Sequence, residues 1–557
     1  MLEGGALGRG RARPRDLLSA LHSAPGVMRG SSVVAYFCME YGLDASFPIY
    51  SGGLGVLAGD FIKSARDLGL PVVAVGLCWA RGYGVQHIGA DGQPAYDYPE
   101  VDHGFLNDTG VRIRVRVRGV EVRCAVRVTE RFGHVPLYLL EPLHRDHQWI
   151  TRRLYEADTE VRIAQEMLLG IGGVRALNWL GLDGSTYHFN EGHAVFAGIE
   201  LIAERMEAGM PFPQAWADTR RRIVFTTHTP VPAGNEEHSL SDLRRMGACL
   251  ELSGAEMRAL GGDPFNMTAA GLRLSRAANG VSRLHGDTAR AMWAHIPDAA
   301  PIRAITNGVH AGTWQAEQVR RGGSDPGALL AARRALRAEL EAEVRRRSGH
   351  ELPPDALVIG VARRAAAYKR GDLILRDETR LTTLLEAHPI QLLFAGKAHP
   401  DDAAGQAIVA RLVRAQERFP GRVLFLENHD IALARALTRG CDVWLNNPIR
   451  PCEACGTSGM KAALNGVLNL SVLDGWWAEA CEPGFNGWAI GDERPSDDTR
   501  DLASLYDTLE REVLPAWRNP ERWLEMMKAS IAMAETRFTS DRMVRDYFEH
   551  LYAPAGD

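Results

Sequence analysis

Residues 451–480 constrain the fold of this chain more than any other stretch. An apolar segment, CDVWLNN, runs into this stretch, and a second apolar segment, VLNLSVLDG, leaves it. Between the two, residues 456–459 (GTSG) form a small-residue turn at the start of a short helical pattern that contains Lys461. Apolar runs bounded by turn residues are typical of buried strands, so the stretch predicts a strand–turn–helix–strand unit.

The same turn points to a ligand. Backbone N–H groups at a helix N-terminus bind anions. A lysine among apolar neighbours can have a lowered pKa and form a Schiff base. We therefore expect an anionic group, such as a phosphorylated cofactor, beside the amine of Lys461. A strand–turn–helix unit with a solvated lysine would explain this stretch, taken alone, equally well.

The length and composition narrow the class of protein. A chain of 557 residues is too long for one core and predicts two large domains. The net charge of −5 gives no reason to expect binding to nucleic acid or to a membrane surface. Eight cysteines in a chain of this length indicate a reducing cytoplasm rather than a disulfide framework. No apolar run approaches the ~18 residues of a membrane span.

Both halves of the chain alternate apolar strands with helical patterns, which indicates parallel sheets covered by helices. Residues 111–141 alternate in polarity instead and predict antiparallel hairpins at the edge of a sheet. Ligands of open α/β sheets bind beyond the carboxyl ends of the strands. His228 follows such a strand, and Asn307 and Trp314 follow another.

In the second half, Arg363, Arg364, Lys369 and Arg370 follow the strand ALVIGVA and concentrate positive charge where a ligand should lie. A solvated basic helix start is the alternative. A glycine turn that includes Gly53 precedes a helical pattern in the first half and would let backbone approach a ligand closely.

No metal site is expected. His188 and His193 are five residues apart, a spacing that does not place both rings on one face of a helix. Cys452 and Cys455 form a CxxC motif that lacks both a thioredoxin-like context and two further ligands close by.

Five segments resemble the glycogen/α-glucan (maltodextrin) phosphorylase family, in a short form that depends on pyridoxal phosphate (PLP), and occur in that family's order. They are GGLGVLAGDF, TTHTPVP, TNGV, ARRAAAYKR and EACGTSGMKAALNG. The resemblance covers roughly residues 33–555 and implies an α/β fold of two Rossmann-like domains, as in GT-B glycosyltransferases, with a deep interdomain cleft.

With this fold, the expected boundaries in chain order are as follows: a disordered tail at 1–30, an N-terminal Rossmann-like domain with a β-hairpin insertion at 31–315, a helical linker at 316–353, a C-terminal PLP-binding domain at 354–530, and a C-terminal helix packing back on the first domain at 531–557.

The resemblance also implies roles for individual residues. His228, Asn307 and Glu453 would hold the sugar, while Arg364 and Lys369 would bind inorganic phosphate. For the cofactor, the implied residues are Lys461 as the Schiff-base lysine, Gly456 and Thr457 at the PLP phosphate, Arg363 near it, and Trp314 packed against it. The substrate site would be lined by Gly53, Leu54 and Cys455, the last replacing a small residue that is often serine.

The implied activity is reversible phosphorolysis of a terminal α-1,4-linked glucose of an α-glucan or maltooligosaccharide, giving glucose 1-phosphate. The sequence offers a phosphate-binding cluster and no paired-carboxylate motif of the kind that retaining hydrolases use. A nucleotide-sugar glucan synthase of the same fold and a non-catalytic glucan-binding protein are the alternatives. We further expect a cytoplasmic enzyme without allosteric regulation, which could form a homodimer.

Overall fold

The computed structural model describes residues 33–182, 186–231, 234–322 and 325–553. The expected tail at 1–30 lies outside these ranges. The strands are β1 Val34–Phe37, β2 Val72–Leu77, β3 Val85–Ile88, β4 Pro94–Asp97, β5 Asn107–Val117, β6 Val120–Thr129, β7 Leu137–Pro142, β8 Thr186–Asn190, β9 Ile223–Thr226, β10 Glu237–His238, β11 Phe265–Asn266, β12 Ala277–Gly280, β13 Ile302–Ala304, β14 Leu357–Ala362, β15 Ile390–Ala395, β16 Val423–Leu426, β17 Val443–Asn446, β18 Leu468–Val472 and β19 Gly487–Ile490.

The α-helices are α1 Gly53–Asp67, α2 Thr159–Met167, α3 Gly173–Leu180, α4 Val195–Glu207, α5 Phe212–Arg220, α6 Leu240–Met246, α7 Gly254–Gly261, α8 Met267–Leu274, α9 Arg283–Trp293, α10 Ala311–Trp314, α11 Glu317–Gly322, α12 Pro326–Ser348, α13 Glu378–Ala387, α14 Ala403–Arg418, α15 Ile431–Gly440, α16 Ser458–Ala463, α17 Trp477–Ala480, α18 Asp498–Thr508, α19 Leu514–Trp517, α20 Pro520–Arg537 and α21 Ser540–Tyr547. Short 3-10 or π-helical segments are Arg145–His147, Leu168–Gly172, Gly192–Ala194, Ala367–Lys369, Leu373–Arg376, Leu509–Val513 and Phe548–Tyr552.

The first sheet has the strand order β13-β12-β9-β8-β1-β2-β7-β6-β5. Its strands are parallel from β13 to β7, and β6 runs antiparallel to both β7 and β5. In β5, Ile113, Val115 and Val117 are buried and the arginines between them are exposed. One face of this hairpin therefore packs on the core and the other meets water.

The second sheet has the order β16-β15-β14-β17-β18-β19, and all its strands are parallel. These strands are buried almost throughout, as expected for a sheet with helices on both faces. The strand order reverses direction between β14 and β17, and in the first sheet between β1 and β8. Ligands of such sheets bind at these switch points, beyond the carboxyl ends of the strands.

Side chains from both halves share one apolar cluster. Val56 and Trp314 from the first half pack in it with Cys455, Met460 and Trp476 from the second. Cys455 and Met460 flank the glycine turn at 456–459, so the two halves together form the apolar surroundings of this turn.

Two further segments connect the halves. Helix α20 begins on the core of the second sheet, and α21 packs against α1 of the first half. The hydroxyl of Tyr552 lies 2.6 Å from Nδ1 of His188 in β8. The hairpin β3–β4 makes the second connection, since the amide of Gln86 donates to the carbonyl oxygen of Gly396 at 2.9 Å and accepts from the N–H of Ala398 at 3.1 Å.

The predicted α/β class with parallel sheets is confirmed. The segment 316–353 contains α11 and α12, and α12 packs along α15 and the core of the second sheet. Nowhere in the described ranges is a helix both long enough and apolar enough to span a bilayer.

Candidate active site

The amine of Lys461 lies in a buried position between the two halves. Helix α16 begins at Ser458, so Lys461 is its fourth residue, and the side chain is almost completely buried. Its Nζ lies 3.7 Å from the centroid of the Trp314 ring. Burial lowers the pKa of Lys461 to about 8, against the opposing charge of Asp60. At pH 7 roughly a tenth of this amine is therefore neutral and nucleophilic, far more than for an ordinary lysine.

The turn before α16 exposes backbone donors. Gly456 has a φ of 87°, a conformation that favours glycine. Thr457 occupies the N-cap position of α16, but no side chain makes a capping hydrogen bond at this helix start. Because the first N–H groups of a helix have no intrahelical partner, this turn can take a phosphate group next to Lys461.

Glu453 lies at the centre of a buried ion-pair cluster. Arg363 donates to its Oε2 at 2.9 Å, and Lys369 donates to its Oε1. Burial alone would raise the pKa of Glu453, but the charges of Lys369 and Arg363 more than offset that effect and lower it. The carboxylate is thus held ionised at the carboxyl end of β14, where a sugar hydroxyl could donate to it.

Arg364 differs from its neighbours in the same segment. Its side chain is exposed, and no described residue forms a hydrogen bond or ion pair with it. Arg370, by contrast, is buried in ion pairs with Asp498 and Asp501 and donates to the carbonyl oxygens of Asn447 and Pro448. The structure therefore leaves Arg364 free for an anion and makes Arg370 part of the fold.

Asn190 and Glu191, at the carboxyl end of β8, position His228. The backbone N–H of His228 donates to Oε2 of Glu191 at 2.8 Å, and its Nε2 lies 2.6 Å from Oδ1 of Asn190. Burial lowers the pKa of His228 to about 3, with His285 and His193 acting in the same direction. The ring is neutral at physiological pH and can serve as a hydrogen-bond partner for a sugar.

The glycine turn at the start of α1 is built on Glu40. The carboxylate of Glu40 accepts from the N–H groups of Ser51 at 2.6 Å and Gly52 at 3.2 Å. A Cβ added to Gly53 would meet nothing within 4 Å, so the backbone there faces open space. Leu54 is half-buried beside it. The turn can therefore approach a ligand closely, as its composition predicts.

Asn307 and Cys455 face each other where the two halves meet. Cys455 is buried, and burial raises the pKa of its thiol well above the usual value, with the nearby backbone of Asn307 acting in the opposite direction. The backbone N–H of Asn307 itself donates to the carbonyl oxygen of Val281 at 3.0 Å. Oδ1 of Asn307 is buried without a hydrogen-bond partner within the described ranges. An unpaired buried amide oxygen is costly, which is consistent with a ligand hydroxyl as its partner.

Comparison with known proteins gives the family. A family model described as carbohydrate phosphorylase matches residues 326–483. A maltodextrin phosphorylase of Thermococcus litoralis is 40% identical over 94% of this chain and 70% of its own length. A glycogen phosphorylase of Mycobacterium bovis is 43% identical over 94% of this chain and 71% of its own length. This chain belongs to the carbohydrate phosphorylase family. An uncharacterised protein of Methanocaldococcus jannaschii is 34% identical over 93% of this chain and 99% of its own length.

Some of the expected site residues of this phosphorylase contact one another directly, in two separate groups. Glu453, Arg363 and Lys369 are bonded directly, and Lys461 contacts Trp314. The described contacts do not join His228 or Gly53 directly to these groups.

Three acidic residues of this phosphorylase escaped the sequence analysis as site residues: Asp60, Glu191 and Asp474. Glu191 directly follows the buried strand β8, and this position is the signal that could have singled it out. Burial raises its pKa to about 7. Asp60 and Asp474 carry no local pattern, since an aspartate in a helix or a turn is ordinary.

One group of described residues has the spacing of metal ligands, namely Glu166, Glu236 and His238. Arg162 donates to both carboxylate oxygens of Glu236, at 2.8 and 2.9 Å. A guanidinium already balances the negative charge of this group, so we assign no metal to this phosphorylase.

Proposed function

We propose that this protein is an α-glucan phosphorylase that removes the terminal α-1,4-linked glucose of an α-glucan or maltooligosaccharide with inorganic phosphate, releasing glucose 1-phosphate reversibly and with retention. The observation that carries the proposal is the buried amine of Lys461 against the Trp314 ring, next to an anion-binding turn, in a chain of the phosphorylase family.

The residues present fit PLP as the cofactor. Lys461 offers a buried amine for covalent attachment, and Trp314 offers a ring to pack against. The N–H groups of Gly456 and Thr457 can take the cofactor phosphate. The guanidinium of Arg363 lies nearby and has a buried Nε without a partner in the described part of the chain. When bound, PLP supplies a phosphate that can share a proton with the substrate phosphate.

The chain's own residues hold the two substrates. Arg364 is free to bind the inorganic phosphate, with Lys369 beside it, and their positive charge offsets repulsion between two neighbouring anions. His228, Asn307 and Glu453 orient the glucosyl unit through hydrogen bonds to its hydroxyls. A retaining transfer needs a charged transition state to be stabilised and the leaving oxygen to be protonated, and the phosphate cluster can do both.

We place the site in a cleft between the two halves. This placement is supported by ligand candidates on both sides, with His228 and Asn307 in the first half and Arg364 and Glu453 in the second. A shared site of this kind excludes water when the halves close over the substrate.

The test uses purified protein, inorganic phosphate and a series of maltooligosaccharides, with detection of glucose 1-phosphate. Phosphate-dependent release together with PLP absorbance is the expected result, and borohydride should fix the cofactor on the peptide that contains Lys461. Release without phosphate, or no release, would contradict the proposal. A nucleotide-sugar synthase would lack the cofactor band, and a non-catalytic binding protein would show no turnover.

A further inference from the structure

The side chain of Asp60 lies beneath the proposed cofactor site, in contact with Trp314. Asp60 is on α1, and both it and Trp314 are 1% exposed. Nε1 of Trp314 donates to both carboxylate oxygens, at 3.0 Å to Oδ1 and 2.9 Å to Oδ2. Within the described ranges, this indole is the hydrogen-bond partner of the carboxylate. Burying a carboxylate with so few hydrogen-bond partners costs free energy unless a cation lies nearby.

The Trp314 ring is held from both halves of the molecule. The carboxylate of Asp60, in the first half, accepts from the indole N–H of Trp314. The backbone carbonyl oxygen of Trp314 accepts from Nδ2 of Asn465, in the second half, at 3.0 Å. The same amide of Asn465 donates to the carbonyl oxygen of Lys461 at 2.8 Å. The ring is therefore fixed in both position and tilt relative to the backbone that carries Lys461.

The charged groups near the Lys461 amine shift its pKa in different directions. Burial lowers its pKa to about 8, the carboxylate of Asp60 opposes that shift, and the ammonium of Lys63 adds to it. Lys63 is itself engaged, since its Nζ donates to the carbonyl oxygen of Leu43 at 2.8 Å and to Thr313 at 3.1 Å. His429, whose pKa burial lowers to about 4, is neutral in the range where Lys461 titrates.

We propose that Asp60 is the positioning residue of the cofactor lysine. It orients the Trp314 ring against the Lys461 amine and supplies the negative charge that stabilises this amine in its protonated form. This inference rests on the proposed function, because it takes Lys461 as the attachment point of PLP. Asp60 touches neither substrate nor cofactor in this role and acts through Trp314 and through its charge.

The test measures PLP uptake by the full chain stripped of cofactor, followed by absorbance as a function of pH. Because the neutral amine is the form that reacts, the wild-type rate should rise with a midpoint near the Lys461 pKa of about 8. Asp60→Asn keeps an oxygen for the indole and removes the charge. Its midpoint should move down by about one pH unit, since an opposite charge nearby favours the protonated amine.

Two variants separate orientation from charge. Asp60→Ala removes the hydrogen bond as well, so PLP should leave this variant about tenfold faster than the wild type, in keeping with the loss of a charge-assisted hydrogen bond. Trp314→Phe keeps a ring and removes the donor, and it should also release PLP faster. Far-ultraviolet circular dichroism and melting curves establish that each variant is folded.

The matched control is Asp67→Asn, which removes the same charge from the same helix. Asp67 lies within hydrogen-bond distance of His310 near the surface, and no hydrogen bond among the described residues joins it to Trp314 or Lys461. The control should keep the wild-type midpoint and release rate. The inference is overturned if folded Asp60→Asn and Asp60→Ala behave like the wild type, or if Asp67→Asn shifts the midpoint equally. Failure of the wild type to take up PLP would overturn the cofactor assignment itself, and the inference with it.

Discussion

The backbone N–H of Glu453 donates to Oδ2 of Asp474 at 2.9 Å, and Oδ1 of the same carboxyl group accepts from Gly475 at 2.8 Å. Asp474 is 2% exposed and lies at the end of the stretch that follows β18. It thus fixes the backbone of the residue that we expect to hold the sugar.

Replacing Asp474 with Asn should weaken sugar binding and leave the binding of PLP unchanged. An asparagine has one acceptor oxygen for two backbone donors, so one buried N–H loses its partner, at a cost of about 1–3 kcal/mol. We expect the KM for glucose 1-phosphate to rise while PLP stays bound. Asp355→Asn, at an exposed position, is the control. An unchanged KM in the folded variant would contradict this role.

The pH dependence of stability should also report on Asp474. Burial raises its pKa to about 7 in the folded protein, whereas an unfolded aspartate titrates near about 4. Above about pH 4 the unfolded chain releases this proton first, so the stabilisation present at low pH is lost as pH rises to about 7. Melting temperatures should fall less over this window in Asp474→Asn than in the wild type. Parallel curves would refute the prediction.

Arg364→Ala should lose phosphorolysis without losing stability or PLP. The side chain is exposed and unpaired within the described ranges, and removing one donor to a developing charge typically lowers the rate ~10²–10³-fold. The measurement is the rate as a function of phosphate concentration, together with a melting curve. Arg334→Ala, also at an exposed arginine, should leave both unchanged. A wild-type phosphate dependence in Arg364→Ala would exclude the role.

Lys369→Ala should differ from Arg364→Ala, because Lys369 is paired with the buried carboxylate of Glu453. Loss of this partner leaves the carboxylate with Arg363, so both the melting temperature and the activity should fall. The decrease in stability should be larger at neutral pH than in acid, where protonated Glu453 no longer needs a partner. A variant as stable as the wild type at neutral pH would speak against this pairing.

Closure of the two halves should depend on Gln86. Its side chain is 1% exposed and makes reciprocal hydrogen bonds with Gly396 and Ala398 of the second half. Gln86→Ala should lower kcat/KM and reduce the compaction that X-ray scattering detects when sugar and phosphate are added. Gln93→Ala, at an exposed position near the tip of the same hairpin, is the control. Wild-type scattering that shows no compaction would count against closure.

The dependence on chain length should be shallow, and AMP should not activate the protein. Residues 234–238 follow His228, and their side chains are engaged within the first half, with Glu236 paired to Arg162 and His238 to Glu166, so they leave few groups for distant sugars. Fewer contacts with distant sugars leave less binding energy to be gained from longer chains. The measurement is kcat/KM for a series from maltose upward, with and without AMP. A steep rise over the longest chains, or clear activation, would refute this expectation.

Local sequence was enough to predict the parallel strands of both sheets, the turn at 456–459 and a concentration of positive charge after β14. Buried strands appear as apolar runs, and a glycine turn between such runs marks a helix start whatever the rest of the chain does. For the same reason Lys461 could be singled out, because its segment combines the turn, the helix and the strands within thirty residues.

The partners of these residues depended on the tertiary structure. Asp60 and Trp314 are 254 positions apart, and Gln86 and Gly396 are 310 apart. Nothing in an amphipathic helix distinguishes an aspartate that will meet a buried indole from one that will meet water. Similarly, Arg370 looked like its free neighbour Arg364 until packing buried it against Asp498 and Asp501. Local pattern decides which segments are buried, whereas the packing of distant segments decides which charge each buried group meets.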